Sequence, residues 1–302
     1  MVVTPRQSTT VILVREKSSK GFEVFLVRRH DASAFMGGNY VYPGGAVDPA
    51  DRSSDVLSFC RGLSSEEASE ILGDSPSEEA LAYWIASIRE LFEEAGILLA
   101  YDSRGEMLSP VTGIGQEKLL NYRESLQRKD LSLVHLAQQE KCFLALDQLH
   151  YYAHWITPEA RSIRFDTLFF VALLPSGQEA SHDQQETTHG LWITPGQALE
   201  ENLHGEIILS PPTLKTLEDL SRFRSIDDVL TSLQGRRTSP VLPVFVKLPS
   251  EILNIFPWDP EYDIFKKGEM PTPLEHGRLS EPGDNTTRVV LRGGRWYPYC
   301  RT

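Results

Sequence analysis

The segment Arg89-Glu90-Leu91-Phe92-Glu93-Glu94-Ala95-Gly96-Ile97, downstream of the turn Tyr42-Pro43-Gly44-Gly45, limits the folds open to this chain more than any other feature. At about 100° per residue, Glu90, Glu93 and Glu94 share one face of a helix. Leu81, Trp84, Ile85, Ile88, Phe92 and Ala95 follow the i, i+3, i+4, i+7 rule and centre on roughly the opposite side. One face packs, and the other holds concentrated negative charge. Like charges at these spacings repel by a few tenths of a kcal/mol per pair, a cost that vanishes when a divalent cation sits among them. A hard cation is the natural missing partner, although charge runs in general are more often a solvated helix face.

The surrounding pattern alternates strands and helices. Thr9 to Arg15 and Phe22 to Arg29 read as strands joined by a polar turn, and they lead into a glycine-rich stretch, Phe35 to Gly45, where backbone can approach a ligand closely. A short helical pattern covers Ser65 to Leu72. Ser75-Pro76-Ser77-Glu78 supplies an N-cap, a first-position proline and a capping-box glutamate, so the acidic helix is expected from near Pro76 to Gly96, with Gly96 as a left-handed C′ residue. Residues from about Gly115 to Leu149 predict two or three helices. Arg164 to Leu173 reads as a buried strand, Gly190 to Ile193 as a short one and Val241 to Lys247 as a further one. Thr194-Pro195 and Ser210-Pro211 open helices, and Gly293-Gly294 joins two strands, Thr287 to Arg292 and Arg295 to Tyr299, as a two-residue hairpin.

At 302 residues, with 40% hydrophobic and 24% charged residues, the chain can bury a proper core as an ordinary soluble protein. A net charge of −12 argues against nonspecific nucleic-acid or anionic-membrane binding, both of which need a basic footprint. A phosphate-bearing small molecule stays compatible if metal ions supply local positive charge. Cys60, Cys142 and Cys300 lie far apart, which suggests a reducing compartment and no disulfide framework. Met1 to Val14 does not read as a secretory signal, the longest apolar run is too short to span a bilayer, and Cys300-Arg301-Thr302 lacks a Ser-Lys-Leu type address. The expected location is cytoplasmic.

Arginine beside glutamate, then Glu-Glu, then Gly-Ile after a Pro-Gly-Gly turn resembles the Nudix box, whose usual pattern is G-x5-E-x7-R-E-U-x-E-E-x-G-U with U aliphatic. Gly45 and Arg89 are separated by about thirty residues more than the pattern allows. Counting forward from Gly45, the first glutamate slot falls on Asp51, the expected stand-in; counting back from Arg89 it falls on Leu81. The insertion is informative in itself. Together with Phe35-Met36-x-Gly38, Ala50-Asp51-Arg52-Ser53, Trp155-Ile156-Thr157-Pro158 and Arg164-Phe165-Asp166-Thr167-x-Phe169-Phe170, it resembles the coenzyme A diphosphatase subgroup, whose animal members are peroxisomal.

The resemblance implies an α/β fold, the Nudix α/β/α sandwich with a mixed β-sheet, helical insertions and a C-terminal extension. Its implied organisation is a Nudix hydrolase domain over 1–235, with insertions at about 52–75 and 105–150, and an extension over 236–302 packed on the same domain. Metal-dependent hydrolysis of a diphosphate linkage follows, most favourably of coenzyme A or acyl-coenzyme A to 4′-phosphopantetheine and adenosine 3′,5′-bisphosphate. The resemblance places Mg²⁺ or Mn²⁺ on Glu90, Glu93 and Glu94, a general base at Glu94 or Glu186, with an additional metal ligand as the other role for Glu186, and Arg89 as orienter of the carboxylates. Arg28, Arg29, Gly44 and Gly45 are the expected substrate-binding residues. A polar-loop glutamate is equally compatible with Glu186.

The broader coenzyme A signature has an arginine where this chain has Ala34, which leaves NADH, ADP-ribose or nucleotide sugars as alternative substrates. A non-catalytic nucleotide-binding module would commonly lose box glutamates, and three are kept here. Arg161 and Arg164 could meet a 3′-phosphate, but an arginine flanking a strand is more often an ion-pair partner. His150 and His154, spaced for a zinc site on a helix, lack a Glu or Cys companion, and Gly37-Gly38 and Gly44-Gly45 form no P-loop. The expected partner is a small nucleoside diphosphate derivative, with no nucleic acid and no membrane; a homodimer is one assembly the sequence leaves open.

Overall fold

The computed structural model describes residues 2–17, 21–73, 77–110, 114–183, 185–271 and 273–301. Its first elements are β1 (Arg6–Glu16), β2 (Phe22–Arg29), β3 (Tyr40–Val41), α1 (Ser54–Leu57), β4 (Cys60–Arg61), α2 (Ser65–Ile71), α3 (Ser77–Ala95) and β5 (Ala100–Tyr101). Next come α4 (Gln116–Gln127), α5 (Leu133–Glu140), β6 (Phe143–Ala145), β7 (His150–Ile156), β8 (Phe165–Leu173) and β9 (Thr187–Ile193). The helices α6 (Pro195–His204), α7 (Pro211–Leu220) and α8 (Ile226–Leu233) precede a last group: β10 (Val244–Lys247), β11 (Ile252–Ile255), α9 (Tyr262–Lys266), β12 (Arg278–Leu279), β13 (Arg288–Arg292) and β14 (Arg295–Cys300).

The central sheet has the order β3-β2-β1-β8-β7, with β9 also paired to β2. Its β1 and β8 run parallel from Arg6↔Phe165 to Val14↔Leu173, while β1–β2 and β7–β8 are antiparallel, so the sheet is mixed. Because successive strand residues point to opposite faces, a run such as Val11-Ile12-Leu13-Val14 can only be buried if both faces are covered. They are. Val11, Leu13, Phe170 and Ala172 pack with α3 residues Trp84, Ile88 and Phe92, whereas Ile12, Val14, Phe169 and Val171 pack with Ala198, Leu214, Leu217 and Val229 of α6, α7 and α8. This is the α/β/α sandwich.

The two insertions meet. β4 from the first pairs in parallel with β6 from the second, and β5 pairs with β6 from the other side, forming a small three-stranded sheet beside α3. The extension forms an antiparallel sheet of order β10-β11-β13-β14-β12. It packs on the sandwich through Trp155 and Phe256, whose ring centroids are 5.6 Å apart, and through Asn202 Nδ2, which donates to the carbonyl of Trp296 at 3.1 Å. Gly293 and Gly294, with φ of 56° and 81°, close the β13–β14 hairpin where Arg292 faces Arg295.

Some expectations shift. Val241 bridges to Trp155 rather than starting a strand, and β10 begins after Pro243, which cannot donate to a ladder. His150 and His154 lie on β7, not on a helix, and four strand residues span about 13 Å, too far for one zinc ion. The acidic helix runs Ser77–Ala95 and Gly96 has a φ of 73°; the expected caps at Ser75, Pro76 and the Glu78 side chain lie outside the described residues. Among the described residues, no helix is long and apolar enough to cross a membrane.

Candidate active site

Asp48 caps a 3-10 turn, Pro49–Arg52, and the turn buries Asp51 to 3% exposure against Arg89 of α3. Arg89 donates to both carboxylate oxygens of Asp51, Nε to Oδ1 at 2.9 Å and Nη2 to Oδ2 at 2.8 Å, the bidentate geometry that fixes a guanidinium plane. The same group donates through Nη2 to the Ala46 carbonyl at 2.8 Å and through Nη1 to Glu90 Oε1 at 2.7 Å and Glu93 Oε2 at 3.4 Å. Burial works against its charge, yet hydrogen bonding to Asp51 and the charges of Glu90, Asp51 and Glu93 outweigh that and raise its pKa overall.

The glycine turn holds Glu94 and lies against Glu90. The Gly44 N–H donates to Glu94 Oε2 at 2.9 Å. A Cβ on Gly44 would lie 2.2 Å from the backbone carbonyl oxygen of Thr9, which leaves no room for a side chain, and one on Gly45 would lie 2.5 Å from Glu90 Oε1 and displace that carboxylate. At Gly44 glycine is required by close approach to backbone, and at Gly45 it leaves Glu90 its place.

Negative charge in this pocket is held at a cost. Burial raises the pKa of Glu93 from 4.5 to about 7, against the opposing pull of Arg89. Burial also raises Glu90, again partly offset by Arg89. Glu94 goes well above the usual range through burial and the charge of Glu90, with the Gly44 N–H and Arg29 opposing; Glu186 adds to all three shifts. Among the described residues no group of three His, Cys, Asp or Glu side chains stands in a geometry that could hold a metal ion; Arg89 and the Gly44 N–H engage oxygens of Glu90, Glu93 and Glu94. The chemistry still fits a hard cation: the donors are carboxylate oxygens, and their crowded, desolvated charge is what a divalent ion relieves.

Glu186 comes to the site from a loop ordered by Asp183, whose carboxylate accepts from the backbone N–H groups of Glu186 at 3.0 Å and Thr187 at 2.8 Å. Its carbonyl accepts from the His30 N–H at 3.0 Å, and its side chain borders a cavity of about 360 Å³. Arg29, Gly44 and Gly45 border the same cavity, and Arg29 Nε is buried without a partner among the described residues. Arg28 does not border it. As the neighbour of Arg29 on a strand it points elsewhere, pairing with Asp31 at 2.6 Å. Arg161 and Arg164 are also absent from the wall: Arg161 lies over the Phe245 ring, and Arg164 donates to the carbonyls of Thr157 and Val3.

Two residues of the second insertion support α3 in a way that sequence reading missed. Arg123 of α4, 5% exposed, donates to the carbonyls of Glu93 and Glu94, each at 2.8 Å, and to the carbonyl of Ser181 at 2.8 Å. Gln127 also donates to the Glu93 carbonyl, at 2.6 Å. Unpaired carbonyls at the C-terminal end of α3 are thus satisfied by a cation, which also suits the negative end of the helix dipole. A lone Arg on an amphipathic helix carries no local signal of that role.

A mixed sheet between helix layers, with Gly44-Gly45 against a Glu-x-x-Glu-Glu helix, defines a Nudix-type hydrolase. The fold matches a solved Nudix hydrolase from Alicyclobacillus acidocaldarius with a TM-score of 0.64 at 22% identity, covering 77% of this chain and 98% of that one. The chain belongs to the NUDT19 Nudix domain family, whose model matches residues 5–222. It is 29% identical to the acyl-coenzyme A diphosphatase NUDT19 of Xenopus laevis, over 93% of this chain and 83% of that protein. It is 28% identical to the protein of the same name from Homo sapiens, over 94% and 85% respectively. Nudix hydrolases generally use divalent metal cations.

Proposed function

We propose that this protein hydrolyses the diphosphate linkage of coenzyme A or an acyl-coenzyme A, giving 4′-phosphopantetheine, or its acyl form, and adenosine 3′,5′-bisphosphate. The observation that carries this reading is that Glu186, Arg29, Gly44 and Gly45 stand at one largely apolar cavity, with Glu90 and Glu94 against the glycine turn and outside the cavity wall. A diphosphate at the charged part leaves apolar wall for the rest of a long substrate. The activity named for the Xenopus and human relatives agrees with it.

Glu90, Glu93 and Glu94 would hold Mg²⁺ or Mn²⁺. Such an ion, when bound, neutralises the diphosphate and lowers the pKa of a water molecule. Glu94 or Glu186 takes the proton of the attacking water. Arg89, fixed by Asp51, keeps Glu90 and Glu93 oriented, and Arg29 offers positive charge to the diphosphate.

The test is incubation with Mg²⁺ or Mn²⁺ and a panel of coenzyme A, acyl-coenzyme A, NADH, ADP-ribose and nucleotide sugars, with products identified by mass. The expected result is preferential appearance of adenosine 3′,5′-bisphosphate from the coenzyme A compounds. Faster turnover of NADH, ADP-ribose or a nucleotide sugar would overturn the substrate, and nucleotide binding without metal-dependent turnover of any compound would overturn the enzyme reading.

A further inference from the structure

We propose that Asn254, in the C-terminal extension, is a specificity-determining residue that hydrogen-bonds an amide of the substrate's pantetheine arm. The inference rests on the coenzyme A reading above and goes further by placing a substrate contact outside residues 5–222, the part matched by the Nudix domain.

Asn254 lies on β11 between Leu253 and Ile255, both fully buried in the core of the extension's own sheet. Alternation turns Asn254 to the opposite face, the one from which Phe256 packs against Trp155 of the sandwich. There it borders the same cavity as Glu186, Arg29, Gly44 and Gly45. Asn254 is 6% exposed, and its Oδ1 is buried with no hydrogen-bond partner among the described residues. A buried polar atom without a partner is costly to keep, and such a group in a cavity wall is explained if a ligand completes it.

The surroundings decide what kind of group that is. The charged side chains in the wall are Arg6, Arg29 and Glu186; besides Asn254, what the extension and β7 contribute to the wall is apolar, Pro243, Trp155 and Ile156. A side-chain amide in an apolar wall suits a neutral group rather than a phosphate, which would be left without a counter-charge. The two secondary amides of a pantetheine arm each offer one N–H and one C=O, the complement of what an asparagine amide presents in either orientation. The nucleotide half has no amide; its adenine edge, an N6 donor beside ring-nitrogen acceptors, is the competing partner, and inhibition by the two separate products tells the two apart.

The experiment uses the full chain with Mg²⁺ and two variants, Asn254→Ala and Asn254→Leu. For each, the KM for coenzyme A and the inhibition constants of the two products are measured. Both variants are expected to raise the KM for coenzyme A and the inhibition constant of 4′-phosphopantetheine about tenfold, the loss of one hydrogen bond. Inhibition by adenosine 3′,5′-bisphosphate is expected to be unchanged. The Leu variant removes a partnerless buried amide, so its Tm is expected to equal or exceed that of the unaltered protein. Unchanged KM and inhibition constants in folded variants, or weakening of the nucleotide product alone, would overturn the role of Asn254. Failure of the unaltered protein to cleave coenzyme A while it cleaves another diphosphate would overturn the coenzyme A reading and this inference with it.

Discussion

Arg89 holds both oxygens of Asp51 across an inserted segment, with Nε–Oδ1 of 2.9 Å and Nη2–Oδ2 of 2.8 Å, while its remaining nitrogen reaches Glu90 and Glu93. Asp51 therefore decides how much of the guanidinium's charge is left for the carboxylates of α3. Asp51→Ala is expected to cost about 3–5 kcal/mol of stability, because it leaves a largely buried arginine without its main partner. Turnover should fall as well, since the released guanidinium can swing onto Glu90 and Glu93 and compete with a cation. Denaturant unfolding and metal-dependent rates together check this; a stable, fully active Asp51→Ala protein would contradict it.

Glu94→Gln separates catalysis from folding. The substitution keeps the shape and removes a charge that is buried and costly to hold, so Tm should stay level or rise. Turnover should fall at least about a hundredfold, because a charged group beside the reacting phosphate is lost. Glu186→Gln, in an exposed loop position, divides the base assignment. If Glu94 only holds the ion and Glu186 takes the proton, the Glu186 variant loses rate with little change in the cation concentration needed for half activity.

The raised pKa of Glu93 gives a pH dependence with a definite sign. A carboxyl at 4.5 when unfolded and about 7 when folded binds its proton more tightly in the folded state. Its favourable contribution is present below pH 4.5 and is lost as pH rises through about 7. In chelator, the glutamate pocket is thus expected to lower Tm progressively between pH 5 and pH 8. Added Mg²⁺ or Mn²⁺ should raise Tm by more at pH 8 than at pH 5.5, where the ligand must first shed a proton. A thermal melt series at both pH values with and without cation tests it, and an equal shift at both would contradict it.

What the sequence made legible follows the range of the interactions involved. The box helix, the paired strands β1 and β2, the buried β8 and the Gly293-Gly294 hairpin are set by local periodicity and turn chemistry, and all are present. Asp51 could be placed because it sits at a fixed distance from Gly45, on the near side of the insertion. The parallel pairing of β4 with β6 could not, because strands of two and three residues show no periodicity and the two lie more than eighty positions apart. Arg28 and Arg29 are indistinguishable as letters; only the register of β2 sends one to the cavity and the other to Asp31. Arg123 and Asn254 were missed for the same reason, since a lone polar residue takes its meaning from a surface that distant segments create.

Arg123 offers the sharpest test of what the second insertion does for the site. Its guanidinium bridges the last turn of α3, through the carbonyls of Glu93 and Glu94, to the Ser181 carbonyl at the start of the segment that carries Glu186. It thereby fixes the distance between the box glutamates and the loop glutamate without touching a carboxylate itself. Arg123→Met keeps much of the apolar stem and removes five donors, leaving buried carbonyls unpaired at a cost of about 1–3 kcal/mol. If the bridge positions Glu186 as a base, kcat should fall about tenfold or more beyond any loss explained by unfolding, while the affinity for the cation proposed to sit on Glu90, Glu93 and Glu94 changes little. The decisive comparison is made well below the variant's Tm: normal cation affinity with lowered kcat supports a positioning role, and wild-type kcat in the folded variant would reduce Arg123 to a structural cap.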